Sequence, residues 1–174
     1  MQSVDEGSRS SPPSGGAAVA VVADPGVAPQ SWLLCGIGPQ RFILPVADVI
    51  ETMRPLPIQA VAGAPSLVLG VALIRGAPVA VVHTALLFGY ESRRYTRLVI
   101  VRAGASMIAL AVEAVFAVAT IETRALQQMP PLIGSDSAVV AVASRDQNLV
   151  FLLNAARIVP EEFVVSGEAK EIPS

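Results

Sequence analysis

Short apolar segments separated by Gly, Pro and small polar residues follow one another along most of the chain. Segments of this length, rich in Val and Ile, predict β-strands. The predicted strands cover residues 31–37, 41–44, 66–74, 77–82, 96–104, 105–112, 113–121, 137–144 and 147–153. Two short helices are expected at 45–53 and 83–92. Many short strands without a long helix indicate an all-β barrel or sandwich.

Three dipeptides between predicted strands indicate hairpin turns: Gly38-Pro39, Arg75-Gly76 and Arg145-Asp146. The second interrupts the otherwise apolar stretch LVLGVALIRGAPVAVV, residues 67–82. A glycine supplies the backbone freedom that a tight turn needs, and an arginine at a strand end can place its guanidinium outside the core. We therefore expect Arg75 at a turn, either solvated or held by an acidic partner.

The composition separates a folded region from two terminal segments. Residues 1–30 are rich in Ser, Gly, Pro and Ala and predict a flexible extension, residues 31–160 a folded domain, and residues 161–174 a tail. Of the whole chain, 53% is apolar and 15% charged, enough for one domain or for two small barrels sharing a core. The net charge of −2 with scattered arginines argues against a nucleic-acid partner.

The apolar run 98–121 is long enough to suggest a membrane span. Arg102 and Glu113 are costly in lipid, and Gly104 divides the run into strand-sized pieces, so buried strands explain it better and no direct membrane insertion is expected. Cys35 is the only cysteine, which excludes an intramolecular disulfide and favours a reducing compartment. With no basic segment ahead of an N-terminal apolar run, we predict a cytoplasmic protein.

Residues that carry chemistry are few. Lys170 is the only lysine and His83 the only histidine, and neither belongs to a metal-ligand spacing or a nucleophile motif. The Gly36-Ile-Gly38 sequence leads into a strand, where a dinucleotide site would need a helix. We expect no catalysis, cofactor or metal, although a small hydrolase built around His83 stays open as an alternative.

Several of these segments resemble the CheW family, the coupling proteins of bacterial chemotaxis. GVALIRGAPVAVV, residues 70–82, matches that family's Gly-Val pair and Arg-Gly turn through Gly70, Val71, Arg75 and Gly76. FILPVADVIE (42–51), IALAVEAV (108–115) and VFLLNAARIV (150–159) resemble further family segments in the same order. The departures from the family pattern are Leu73, Ile74, His83, Ala109 and Glu113.

The resemblance implies two SH3-like five-stranded β-barrels with short helices around a shared apolar core. The first barrel would cover about 31–96 and the second about 97–160, with strands able to cross between them. Such proteins are non-catalytic adaptors that join the cytoplasmic tip of a chemoreceptor to the regulatory domain of the chemotaxis histidine kinase, in membrane-associated arrays. The Leu73 and His83 departures keep open a divergent module of a non-flagellar pathway that has lost receptor binding.

The resemblance also implies partner-binding residues. Glu51 and Arg75 would form an ion pair beside the partner surface, while Gly70 and Gly76 would keep the turn geometry that lets partners approach. The residues expected to form an apolar receptor-facing groove are Val49, Leu98, Ala109, Val115 and Val118.

Overall fold

The computed structural model describes residues 30–129 and 137–158 and has the predicted all-β architecture. The strands are β1 Gln30–Ile37, β2 Gln40–Pro45, β3 Val49–Met53, β4 Val68–Ile74, β5 Ala77–Val82, β6 Arg97–Ala103, β7 Ser106–Val112, β8 Ala114–Ile121, β9 Gln127–Gln128, β10 Val139–Arg145 and β11 Asn148–Leu153. Short 3-10 helices lie at Val46–Asp48, Thr84–Phe88, Thr123–Ala125 and Ala155–Arg157. The predicted extension up to residue 29, the tail and part of the 124–137 loop lie outside the described residues.

The strands form two sheets, as two SH3-like subdomains require. One has the order β8-β1-β2-β11-β10-β9, and the other has the order β3-β6-β7-β5-β4. The strands cross between the two expected segments, 31–96 and 97–160: β1 and β2 pair with the C-terminal strands, while β3 to β7 form the second sheet by themselves. The parallel pairing of β2 with β11 joins the two ends of the described chain. The first sheet has six strands, one more than the expected five, because it includes the two-residue β9.

Two of the three predicted hairpins turn where expected, at Gly38-Pro39 and at Arg75-Gly76. The third, between β10 and β11, turns at Asp146-Gln147, one residue later than predicted. The helix expected over 45–53 is a single 3-10 turn followed by β3, because β3 pairs with β6. That pairing gives the backbone of β3 the hydrogen bonds that a helix would otherwise supply.

Both faces of the central strands are buried, which explains their continuous apolar sequences. Along β6, Val99 and Val101 belong to a core shared with the first sheet, where they cluster with residues such as Leu33 and Phe42. Leu98 and Ile100 point the other way, into a second cluster within the β3–β7 sheet. The predicted shared core is therefore present.

The apolar run 98–121 consists of β6, β7 and β8 and is divided between the two sheets. Within residues 30–129 and 137–158, no helix has the length and hydropathy to cross a bilayer.

Candidate functional site

The β4–β5 turn has left-handed backbone at both central residues. Arg75 has φ 50° and Gly76 has φ 85°, between the last strand pair Ile74 and Ala77. Positive φ at both positions is the type I′ geometry, which matches the twist of a two-residue hairpin. Glycine adopts it freely, whereas a residue with a side chain does so at some cost. The fold thus holds Arg75 in an unusual backbone conformation at the surface.

The predicted pair between Arg75 and Glu51 is confirmed. Nε of Arg75 donates to Oε1 of Glu51 at 2.7 Å, and Nη2 donates to Oε2 at 2.8 Å. This bidentate arrangement matches the planar guanidinium to the carboxylate. The arginine side chain is 78% exposed and the glutamate 23%, so the pair lies at the surface with its acidic end more covered. The solvated alternative for Arg75 is wrong.

The pair also changes the protonation behaviour of both groups. Hydrogen bonding from Arg75, reinforced by its positive charge, lowers the pKa of Glu51, and the same carboxylate raises the pKa of Arg75. Both groups are therefore charged at neutral pH. Because Glu51 lies on β3 and Arg75 on the β4–β5 turn, the pair links the two ends of the strand order β3-β6-β7-β5-β4.

Gly70 lies inside β4 and takes no part in the turn. A Cβ at this position would stand 2.2 Å from the carbonyl oxygen of Gln59. The two amide–carbonyl hydrogen bonds between Gln59 and Val71, of 2.9 and 2.8 Å, hold Gln59 against the edge of β4 as an antiparallel bridge. Gly70, at φ 148°, therefore allows a close backbone approach, and the expectation that it shapes the turn is wrong.

Two residues of the expected groove lie in the core. Leu98 and Ala109 have no exposed surface and pack inside the second sheet. They therefore have no surface for a partner. The sequence could not show this, because in strands buried on both faces the apolar pattern does not reveal which residues face outward.

The other three groove residues lie at or beyond the rim of the shared core. Val49 on β3 and Val115 on β8 are half-buried against it, while Val118 on β8 is 62% exposed. Both β3 and β8 are edge strands, one in each sheet. These three apolar residues therefore lie on either side of the junction between the two sheets, with Val49 on one side and Val115 and Val118 on the other.

Glu113 joins the sheets and was not among the expected site residues. Its N–H donates to the carbonyl of Gly36 at 3.1 Å, and its own carbonyl accepts from Oγ1 of Thr96 at 2.7 Å. Its Oε2 accepts the N–H of Gly38 at 2.9 Å. The chain crosses from β7 to β8 at this residue, so these three bonds set where β8 starts. In the sequence, Glu113 stood out only as a departure from the family's aspartate and as a charge that argues against a membrane span.

An aromatic residue lies beside this junction. Phe116 is 49% exposed, and the guanidinium of Arg41 lies 4.5 Å from its ring centroid, a cation–π arrangement. Nη1 of Arg41 also donates to the carbonyl of Gly38 at 3.1 Å. Phe116 is the residue skipped by the β1–β8 pairing, which places it at a β-bulge. In the sequence, the signal that could have identified Phe116 was that it is a lone aromatic residue in an Ala- and Val-rich strand.

His83 and Cys35 occupy structural positions. His83 is buried, and its Nε2 lies 2.8 Å from the carbonyl oxygen of Ser92, so this nitrogen donates the hydrogen bond. Burial raises the pKa of the Cys35 thiol to about 12. Within the described part of the chain, no three His, Cys, Asp or Glu residues lie together as a metal site would require.

Comparison with known proteins agrees with this architecture. The model of the CheW-like domain family matches residues 31–163. The crystal structure of the scaffolding protein TtCheW from Thermoanaerobacter tengcongensis aligns with a TM-score of 0.65 and 23% identity, over 72% of this chain and 89% of that one. A search of curated proteins found no match. The structural likeness shows the fold, and the family match over most of the length shows that this chain belongs to the CheW-like domain family.

Proposed function

We propose that this protein is a non-catalytic adaptor that couples chemoreceptors to a chemotaxis-type histidine kinase. The observation that carries the proposal is the CheW-like match over residues 31–163. The solved relative TtCheW is itself described as a scaffolding protein. In this proposal the protein works in the cytoplasm and joins receptor arrays at the membrane through its partners, with no cofactor.

The receptor contact is proposed at the junction between the sheets, reduced to Val49, Val115 and Val118 from the five residues first expected. Val49 and Val115 flank the shared core from opposite sheets. Apolar residues that are partly or largely exposed along such a junction suit an amphipathic helix, which binds through its apolar face. The receptor's cytoplasmic tip is the proposed occupant.

The kinase contact is proposed at the Arg75-Gly76 turn. The bond to Glu51 uses two of the five N–H donors of the guanidinium and holds its plane at the surface. An oriented cation beside an exposed turn can bind an acidic or carbonyl-rich surface with little loss of side-chain freedom. Gly76 has nothing within 4 Å of the position its Cβ would take, so a partner's backbone can approach closely there.

Calorimetric titration tests both contacts, with a kinase regulatory domain and a receptor-tip fragment from the same organism as separate ligands. We expect Arg75→Glu to weaken kinase binding and Val118→Asp to weaken receptor binding, each by at least tenfold, about 1.4 kcal/mol. Leu149→Asp is the matched control, since Leu149 is 58% exposed on β11, in the same sheet as Val118 but three strands away. If neither ligand binds the unaltered protein, the proposal fails.

A divergent module that binds the kinase and not the receptor is the second candidate. Leu73 supports it, because this departure from the family pattern is 67% exposed next to the turn and changes the surface a partner meets. His83 gives no such support, because it is buried. Kinase binding without receptor binding in the titration would select this candidate.

A further inference from the structure

The edge strand β8 leaves apolar side chains uncovered. Phe116, Ala117 and Val118 are exposed in succession, and in the described residues β8 pairs only with β1. The strand reads AVFAVATI and has no charged residue or proline. Edge strands usually carry such residues, or a bulge, to prevent unwanted pairing. The bulge of β8 lies at Phe116, near its N-terminal end, so residues 117–121 are open to the addition of another strand.

We propose that residues 17–23 of the same chain, AAVAVVA, add to β8 as an outer strand. Valine is among the residues with the highest strand preference. In an extended segment Val19 and Val21 share one face while Val22 lies on the other, so both sides of the added strand carry apolar groups. Seven residues are nearly the length of the eight-residue β8.

The tether fits this placement. The chain enters β1 at Gln30, which pairs with Ile121 at the C-terminal end of β8. An outer strand beyond β8 would lie about 10 Å from β1, two strand spacings away. The connecting residues 24–29, DPGVAP, can span about 20 Å and include a Pro-Gly turn signal. The chain direction makes the added strand parallel to β8.

Covalent connection makes the chain's own segment a stronger candidate than a free peptide. A short tether gives an effective concentration in the millimolar range, so weak strand pairing is enough for substantial occupancy. The docking itself does not depend on the proposed adaptor function. The consequence of docking does depend on that function, because a docked segment would cover Val118 and compete with a receptor for the junction surface.

Amide hydrogen exchange of residues 114–121 in the full chain tests the docking without receptor or kinase. Val19→Asp with Val21→Asp places two charges in the proposed strand. Ser8→Asp with Ser10→Asp adds the same charge to the same extension, outside the apolar run, as the control. We expect exchange across β8 to be roughly tenfold faster in the valine double variant and unchanged in the serine double variant.

Equal exchange in all three proteins overturns the proposal. Faster exchange on dilution of the unaltered protein also overturns it, because β8 would then be covered by a second copy. A Val118→Cys background gives an independent readout through thiol labelling, since Cys35 is buried. In this background, the proposal requires the introduced thiol to be labelled faster when Val19→Asp and Val21→Asp are also present. Because no partner is present, failure here leaves the adaptor proposal unaffected.

Discussion

Arg75 and Glu51 connect the two ends of a five-stranded sheet through parallel hydrogen bonds of 2.7 and 2.8 Å. The arginine is on a turn whose backbone is left-handed, and the glutamate is on an edge strand opposite it in the strand order. Arg75, the most exposed charged group of the proposed kinase contact, therefore also links the two ends of the sheet. Charge and turn geometry at this position can be separated experimentally.

The first prediction concerns the pKa of Glu51. Because Arg75 lowers it, the pair stabilises the fold above the ordinary glutamate pKa, and this contribution is lost as pH falls through the lowered value. In Arg75→Gln the pKa of Glu51 should rise towards the ordinary value of 4.5. Carboxyl ¹³C NMR titration measures it directly. An unchanged pKa would show that the ion pair does not persist in solution.

The second prediction separates the turn from the charge. Arg75→Ala and Arg75→Asn both remove the ion pair, but asparagine tolerates positive φ better than alanine does. Arg75→Asn should therefore have the higher melting temperature of the two. Thermal unfolding followed by circular dichroism makes the comparison. Equal melting temperatures would mean that the left-handed backbone of Arg75 contributes nothing to stability.

The third prediction concerns Gly70. An alanine there meets the carbonyl oxygen of Gln59 at 2.2 Å, and its backbone has φ 148°, so Gly70→Ala should cost about 3 kcal/mol or more. Gly104→Ala is the control: its φ is 65° but nothing lies within 4 Å, so we expect a loss of about 1–2 kcal/mol. Denaturant titration measures both. Equal losses would contradict the close approach of Gln59 to Gly70.

The fourth prediction distinguishes core from surface among the residues first expected to form the groove. Leu98→Ala should lower the free energy of unfolding by about 2–5 kcal/mol, because Leu98 is fully buried. Val118→Ala, at a position 62% exposed, should change it by about 0.5 kcal/mol or less when it is made together with Val19→Asp and Val21→Asp, which prevent the proposed outer strand from covering it. Urea unfolding of these variants provides the test. A large loss from Val118→Ala in that background would mean that the described part of the chain covers this residue.

The fifth prediction uses the buried thiol. With its pKa raised to about 12, Cys35 should be almost entirely a protonated thiol at neutral and mildly alkaline pH and should not react while the protein is folded. Its labelling rate should then follow global unfolding and rise with denaturant. Mass spectrometry after timed labelling measures the rate. Rapid modification under native conditions would show that β1 opens locally.

Much of the local structure follows from the sequence. The alternation of apolar segments with Gly, Pro and polar residues predicted most strands and two turns correctly, because strand period and turn chemistry are local properties. The spacing shared with the CheW family identified the partner of Arg75. The 45–53 helix was assigned to the wrong type of element, because pairing of β3 with β6 overrides a short apolar periodicity, and the two-residue β9 lies in a segment predicted as a loop.

What only the tertiary structure decided is where these elements meet. The pairing of β2 with β11 brings together residues from the two ends of the described chain, and no local pattern encodes it. For the same reason, the sequence did not reveal the burial of Leu98 and Ala109 or the close approach of the Gln59 backbone to Gly70. In strands that are apolar on both faces, the sequence determines that a residue is in a strand. Packing between distant strands determines whether that residue faces a core or a partner.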